Sequence, residues 1–116
     1  YVVLGETHPN LVAHEGEADR ERLISQAAAL GVADHVEFRD GFADHDRLVE
    51  ALQAADVYAT PYPNPAQITS GTLSYAVGLG KAVVSTPYVH ATEILGDGHG
   101  VLVDFGDHEA FAREIN

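Results

Sequence analysis

DVYATPYPNPAQITSGTLSYAVGLGKAVVS, residues 56–85, passes through four segments in thirty positions. Residues 56–60 (DVYAT) form a short run rich in β-branched and aromatic side chains, which predicts a strand. Residues 61–70 carry Pro61, Pro63 and Pro65 among polar neighbours and show no period, which predicts a loop. Thr69 and Ser70 then stand as capping candidates before residues 71–79, a predicted helix stopped by Gly80. Residues 82–85 (AVVS) make a second apolar run. Strand, loop, helix and strand in this order make a βαβ unit, whose two strands run parallel.

The same alternation extends in both directions. Strands are predicted at 1–4, 35–38 and 101–103, and their near-continuous apolar character suits strands covered on both faces. Helical spacing runs through 17–30, where Leu23, Ile24, Ala27, Ala28 and Leu30 make one stripe before Gly31. It returns in 44–55, which Asp44 can cap and where Leu48, Leu52 and Ala55 share a face. A short helix near 90–95 and a last one from Asp107 complete the series. The fold class is therefore α/β, a Rossmann-like parallel sheet with flanking helices, and the 116 residues are read as one domain.

Composition narrows the function. At 46% apolar residues the chain has material for a core, and without cysteine it has neither a disulfide framework nor a thiolate metal site. Eighteen acidic residues against six basic ones give a net charge of −12. That balance argues against nucleic acid as a partner, because replacing phosphate counterions needs Lys and Arg, and it argues against an anionic membrane surface. No apolar stretch approaches the roughly 18 residues of a membrane span, and no signal-peptide pattern is present. A cytoplasmic location is expected. The chain opens on an apolar run rather than on Met, so it is expected to be a fragment of a larger enzyme. The seven histidines (His8, His14, His35, His45, His90, His99 and His108) show no pair four apart on one helix and no H-E-x-x-H, and no metal is expected. Asp44-His45-Asp46 reads as helix capping rather than a calcium loop.

Ligands of open parallel sheets bind beyond the carboxyl ends of the strands. The loop 61–70 occupies such an end and leads into Ser70-Gly71-Thr72. The first turn of a helix presents unpaired N–H groups and about half a positive charge, which favours anions. Gly71 lets a diphosphate approach the backbone, and the hydroxyls of Thr69, Ser70 and Thr72 can donate to phosphate oxygens. An ordinary capped turn has the same spacing, and the residues alone leave both readings open. At the end of the first strand, Gly5 and His8 are weaker candidates, His8 serving equally as a turn residue. Arg39 and Asp40 follow the second predicted strand and read by default as exposed loop charges.

Residues 56–84, together with the V-x-x-x-V-x-F pattern at 32–38 and the G-x-L-V pattern at 100–103, resemble the donor-binding core of retaining glycosyltransferases of family 4, or group 1. Gly80-Lys81-Ala82-Val83-Val84 is similar to that family's G-x-P-V-V, with Ala82 in place of Pro. The resemblance implies the C-terminal lobe of a GT-B fold and a nucleoside diphosphate sugar of UDP or GDP type as substrate, with no further cofactor. It implies transfer with retained configuration, to an acceptor glycan, lipid or small molecule held by an N-terminal half. The family's two glutamates, eight positions apart, fall on Gln67 and Tyr75. An amide can still bond sugar hydroxyls, whereas a tyrosine can stack or bond only once. The family's first strand–helix unit, with its diphosphate-binding Arg and Lys, has no counterpart here, and no catalytic residue is expected in these 116 residues. The missing strand would lie between strands 1–4 and 56–60, leaving a gap of about 10 Å. A continuous five-stranded sheet in sequential order would refute that topology. A sugar-nucleotide epimerase or phosphorylase lobe, and a non-catalytic α/β binding module with a degenerate donor site, are the alternatives. A flavodoxin-like receiver domain is more distant, since Glu6 stands alone where such domains carry an acidic cluster.

Overall fold

A computed structural model describes residues 1–6 and 16–116. The described elements are β1 (Val2–Leu4), α1 (Ala18–Ala29), a 3-10 turn (Ala33–His35), β2 (Glu37–Arg39), α2 (His45–Ala54), β3 (Val57–Thr60), α3 (Gly71–Gly78), β4 (Ala82–Ser85), α4 (Val89–Leu95), β5 (Val101–Leu102) and α5 (His108–Ile115). Every ladder is parallel and every sheet is flanked by helices, so the chain is a Rossmann-like α/β protein. The strands form two sheets, β1-β2 and β3-β4-β5, and not one continuous five-stranded sheet in sequential order. The chain divides accordingly into two compact units, Tyr1–His45 and Asp46–Asn116.

In the first unit β1 pairs with β2 in the register Val2–Glu37, Val3–Phe38 and Leu4–Arg39. The second strand begins later than the sequence predicts, and the cause is local. His35 N–H donates to Val32 O and Val36 N–H to Ala33 O, closing a tight turn where a strand was expected to begin. The ladder therefore takes in Arg39, which is a strand residue and not the first of a loop. The expectation of strands covered on both faces also fails here, since Val2 is 46% exposed and only the central residues Val3 and Phe38 are partly covered. Arg20, on α1, holds the unit together. Its guanidinium lies 5.8 Å from the Phe38 ring centroid, pairs with Asp40, and stands 3.6 Å from Glu17. It also donates to the Gly5 carbonyl at 2.5 Å.

In the second unit the two-faced burial expected of a parallel sheet is met at β4, where Val83, Val84 and Ser85 are buried. β3 pairs with β4 from Val57–Ala82 to Thr60–Ser85, and β4 pairs with β5 at Val84–Val101 and Ser85–Leu102. The core joins Leu52 of α2, Leu73 and Ala76 of α3, Val83 of β4, and Tyr88, Ala91 and Leu95 at α4. Spacing of three and four between these residues places them on the inner face of each helix. Close packing continues at Gly100, where a Cβ would come within 2.8 Å of the Leu95 side chain and 3.1 Å of the Val83 carbonyl. Asp107 caps α5 by accepting from Ala110 N–H at 2.8 Å. Among the described residues no helix is long and apolar enough to cross a membrane.

Candidate functional site

The loop 61–70 leaves β3 at Thr60, and α3 returns the chain to β4 in parallel, so α3 begins on the carboxyl-end side of its sheet. The loop is bonded to residues that follow the end of β4. Thr86 Oγ1 donates to Tyr62 O at 2.6 Å, and Val89 N–H donates to Pro65 O at 3.1 Å. His90 N–H donates to Gln67 O at 3.3 Å, while His90 Nδ1 accepts from Ser70 N–H at 2.8 Å. Near the loop lies a set of buried hydroxyls bonded to one another or to backbone carbonyls. Tyr88, fully buried, has its hydroxyl 3.2 Å from Thr60 Oγ1 and its ring edge-on to Tyr62 at 5.4 Å. Ser85 Oγ donates to Thr86 O at 2.8 Å, so this buried polar group is partnered.

Ser70 is the N-cap of α3, its extended backbone (φ −131°, ψ 107°) directing Oγ to accept from Leu73 N–H at 3.3 Å. With Leu73 capped and Ser74 N–H bonded to Ser70 O, the N–H groups of Gly71 and Thr72 take no acceptor among the described residues. Gly71 is exposed, and a Cβ placed on it would meet nothing within 4 Å. The opening turn of α3 thus carries two backbone donors that are unclaimed among the described residues. Tyr58 OH donates to Thr72 Oγ1 at 2.7 Å and fixes that hydroxyl from below. Burial pushes the Tyr58 hydroxyl above its ordinary pKa, against the opposing effect of the bond to Thr72.

Gln67, Thr69, Ser70, Gly71 and Thr72 are therefore gathered in one loop and one helical turn. Gln67 folds back, its amide donating to Thr69 O at 2.8 Å. Tyr75 lies one turn further on, 42% exposed, on the same outer face of α3 as Gly71 and Gly78.

A family model described as glycosyl transferases group 1 matches residues 6–116. The chain belongs to that family. No curated protein and no solved structure matches it. Group 1 glycosyl transferases move sugars, and glycosyl transfer is the role this membership supports.

The remaining candidates of this glycosyl transferase chain are placed as follows. Gly5 ends β1 with φ +120°, a conformation open to glycine and strained for other residues, and its N–H donates to Arg39 O at 3.1 Å. His8 lies outside the described residues. Arg39 is spent on Glu37, with bonds of 2.8 and 3.1 Å that hold the Glu37 carboxyl below its ordinary pKa, and Asp40 is paired with Arg20. Glu6, Glu17, Arg20, Asp40 and Gly41 line a cleft of about 350 Å³ in the first unit. Lys81 donates to Gln53 O at 2.7 Å and Ala55 O at 2.9 Å, where it serves the C-terminal end of α2. Among the described residues no group of three or more His, Asp and Glu side chains could hold a metal ion. Sequence reasoning missed His90 and Tyr88, which hold the loop from the far side of β4. Their only signal was polar and aromatic residues just after a buried strand, at the end where loops meet.

Proposed function

We propose that this group 1 glycosyl transferase chain binds a nucleoside diphosphate sugar of UDP or GDP type, with the diphosphate against the opening turn of α3. The transfer it serves retains anomeric configuration, and the acceptor, a glycan, lipid or small molecule, is held by another part of the enzyme. A cytoplasmic location belongs to the same reading. The observation that carries it is the exposed Gly71, with its own N–H and that of Thr72 unclaimed among the described residues. Such donors stabilise negative charge, and they would do so most where it develops, on the departing diphosphate. The hydroxyl of Thr69 is a further phosphate donor in this reading, and Gln67 keeps its amide oxygen for a sugar hydroxyl after its N–H is given to the Thr69 carbonyl.

A second reading, a binding module with a degenerate donor site, is favoured by one observation. Gln67 and Tyr75 offer no carboxylate where the resemblance expects two. Backbone N–H groups without a cation bind weakly, so the test must tolerate weak binding. Titration of the isotope-labelled chain with UDP, GDP and their hexose conjugates, followed by amide NMR, is suited to it. Saturable shifts centred on Gly71 and Thr72 are expected. Shifts elsewhere only, or none with any nucleotide, would overturn the donor reading, and equal shifts with free and hexose-bearing nucleotides would favour the binding module.

A further inference from the structure

We infer that His90 is a positioning residue for the donor site: its Nδ1, held as a hydrogen-bond acceptor, aims the backbone amides at the start of α3. The inference rests on the donor reading above. A main-chain N–H can only donate, so the 2.8 Å contact from Ser70 N–H requires Nδ1 to be unprotonated and puts the ring proton on Nε2. Ser70 is the residue whose dihedral angles set the direction of the next two N–H groups. Its side chain is already committed to Leu73 N–H, and its carbonyl to Ser74 N–H at 3.3 Å. Its own N–H is the remaining handle, and His90 holds it.

The histidine is itself well anchored. Val89 N–H to Pro65 O and His90 N–H to Gln67 O tie its backbone to the same loop that its side chain grips. Tyr88, two residues before it, is fully buried. Three successive residues, Tyr88, Val89 and His90, thus hold the end of β3 at Thr60 and the loop 61–70 at Pro65, Gln67 and Ser70. The side chain of Gln67, one of the candidate sugar contacts, rides on a backbone carbonyl bonded to His90. Loss of the imidazole acceptor would free Ser70 to turn, and the N–H groups of Gly71 and Thr72 would lose their common direction.

Amide substitutions separate position from bulk. An Asn side chain places its oxygen where Nδ1 stands, whereas a Gln side chain places it near Nε2. The full 116-residue chain carrying His90→Asn, His90→Gln or His90→Leu is titrated with UDP and GDP by amide NMR, alongside the unsubstituted chain. His90→Asn is expected to bind within about twofold of the unsubstituted chain, and His90→Gln and His90→Leu about fivefold more weakly, the scale of one lost hydrogen bond. Exchange of the Ser70 amide should follow the same order, and long-range nitrogen spectra should show the proton on Nε2. Equal affinities for the Asn and Gln variants, or a Leu variant that binds as the unsubstituted chain does, would overturn the positioning role and leave the donor reading standing. An unsubstituted chain that binds neither nucleotide would remove both, while the Ser70 exchange order would still report the contact itself.

Discussion

Ser70 makes five hydrogen bonds in the space of one turn: N–H to His90 Nδ1, Oγ with Leu73 N–H and with the Thr72 hydroxyl, and the carbonyl from both the N–H and the hydroxyl of Ser74. Ser70→Ala removes the cap without touching the backbone bonds, and it should lower stability by about 1 kcal/mol, read as a fall in thermal midpoint. Tyr58 allows a test by pH. Its hydroxyl is buried against Thr72, and burial raises its pKa above the ordinary 10.0, so the unfolded chain ionises first. Stability is then complete below the unfolded value and declines as pH rises through the folded one. Tyr58→Phe should flatten that alkaline decline in urea titrations run on both sides of pH 10. A variant whose stability falls as steeply as the parent's would refute the assignment.

Elements were legible wherever a local signal coincided with a local cause. Ser70 and Gly80 bracket α3, Asp107 opens α5, and β4 is buried as its run of valines implies. The strand expected at 35–38 was misplaced because the 3-10 turn at Ala33–His35 is made by backbone bonds that leave no mark on side-chain pattern. The open turn at Gly71 was readable from the glycine after a cap. The grip of His90 on that turn was not, since it joins residues twenty positions apart on different elements. Packing between elements is equally hidden from periodicity, and Gly100 illustrates it. Gly100→Ala presses a methyl group into Leu95 and the Val83 carbonyl, and overpacking of this kind costs about 1–3 kcal/mol. Denaturant unfolding should show the loss, and an unchanged midpoint would mean that Leu95 gives way freely.

The molecule consists of two units unequally endowed with core. The buried cluster from Leu52 to Leu95 lies wholly in Asp46–Asn116, whereas Ala27 is the sole buried hydrophobic residue described in Tyr1–His45. Protection of backbone amides follows buried packing, so Val83 and Val84 should exchange last, and Val3 and Phe38 well before them. Uniform exchange across all four would show that the two units open together. Lys81, whose ammonium is held by Gln53 and Ala55, is the only lysine of the chain, so a lysine-specific endoprotease has a single bond to cut, between Lys81 and Ala82. That bond becomes a substrate only after the side chain lets go of both carbonyls and the head of β4 comes away from Val57, its partner in the ladder. Digestion into two pieces therefore gauges the larger unit, its rate under native conditions following how often that unit opens far enough to release the bond.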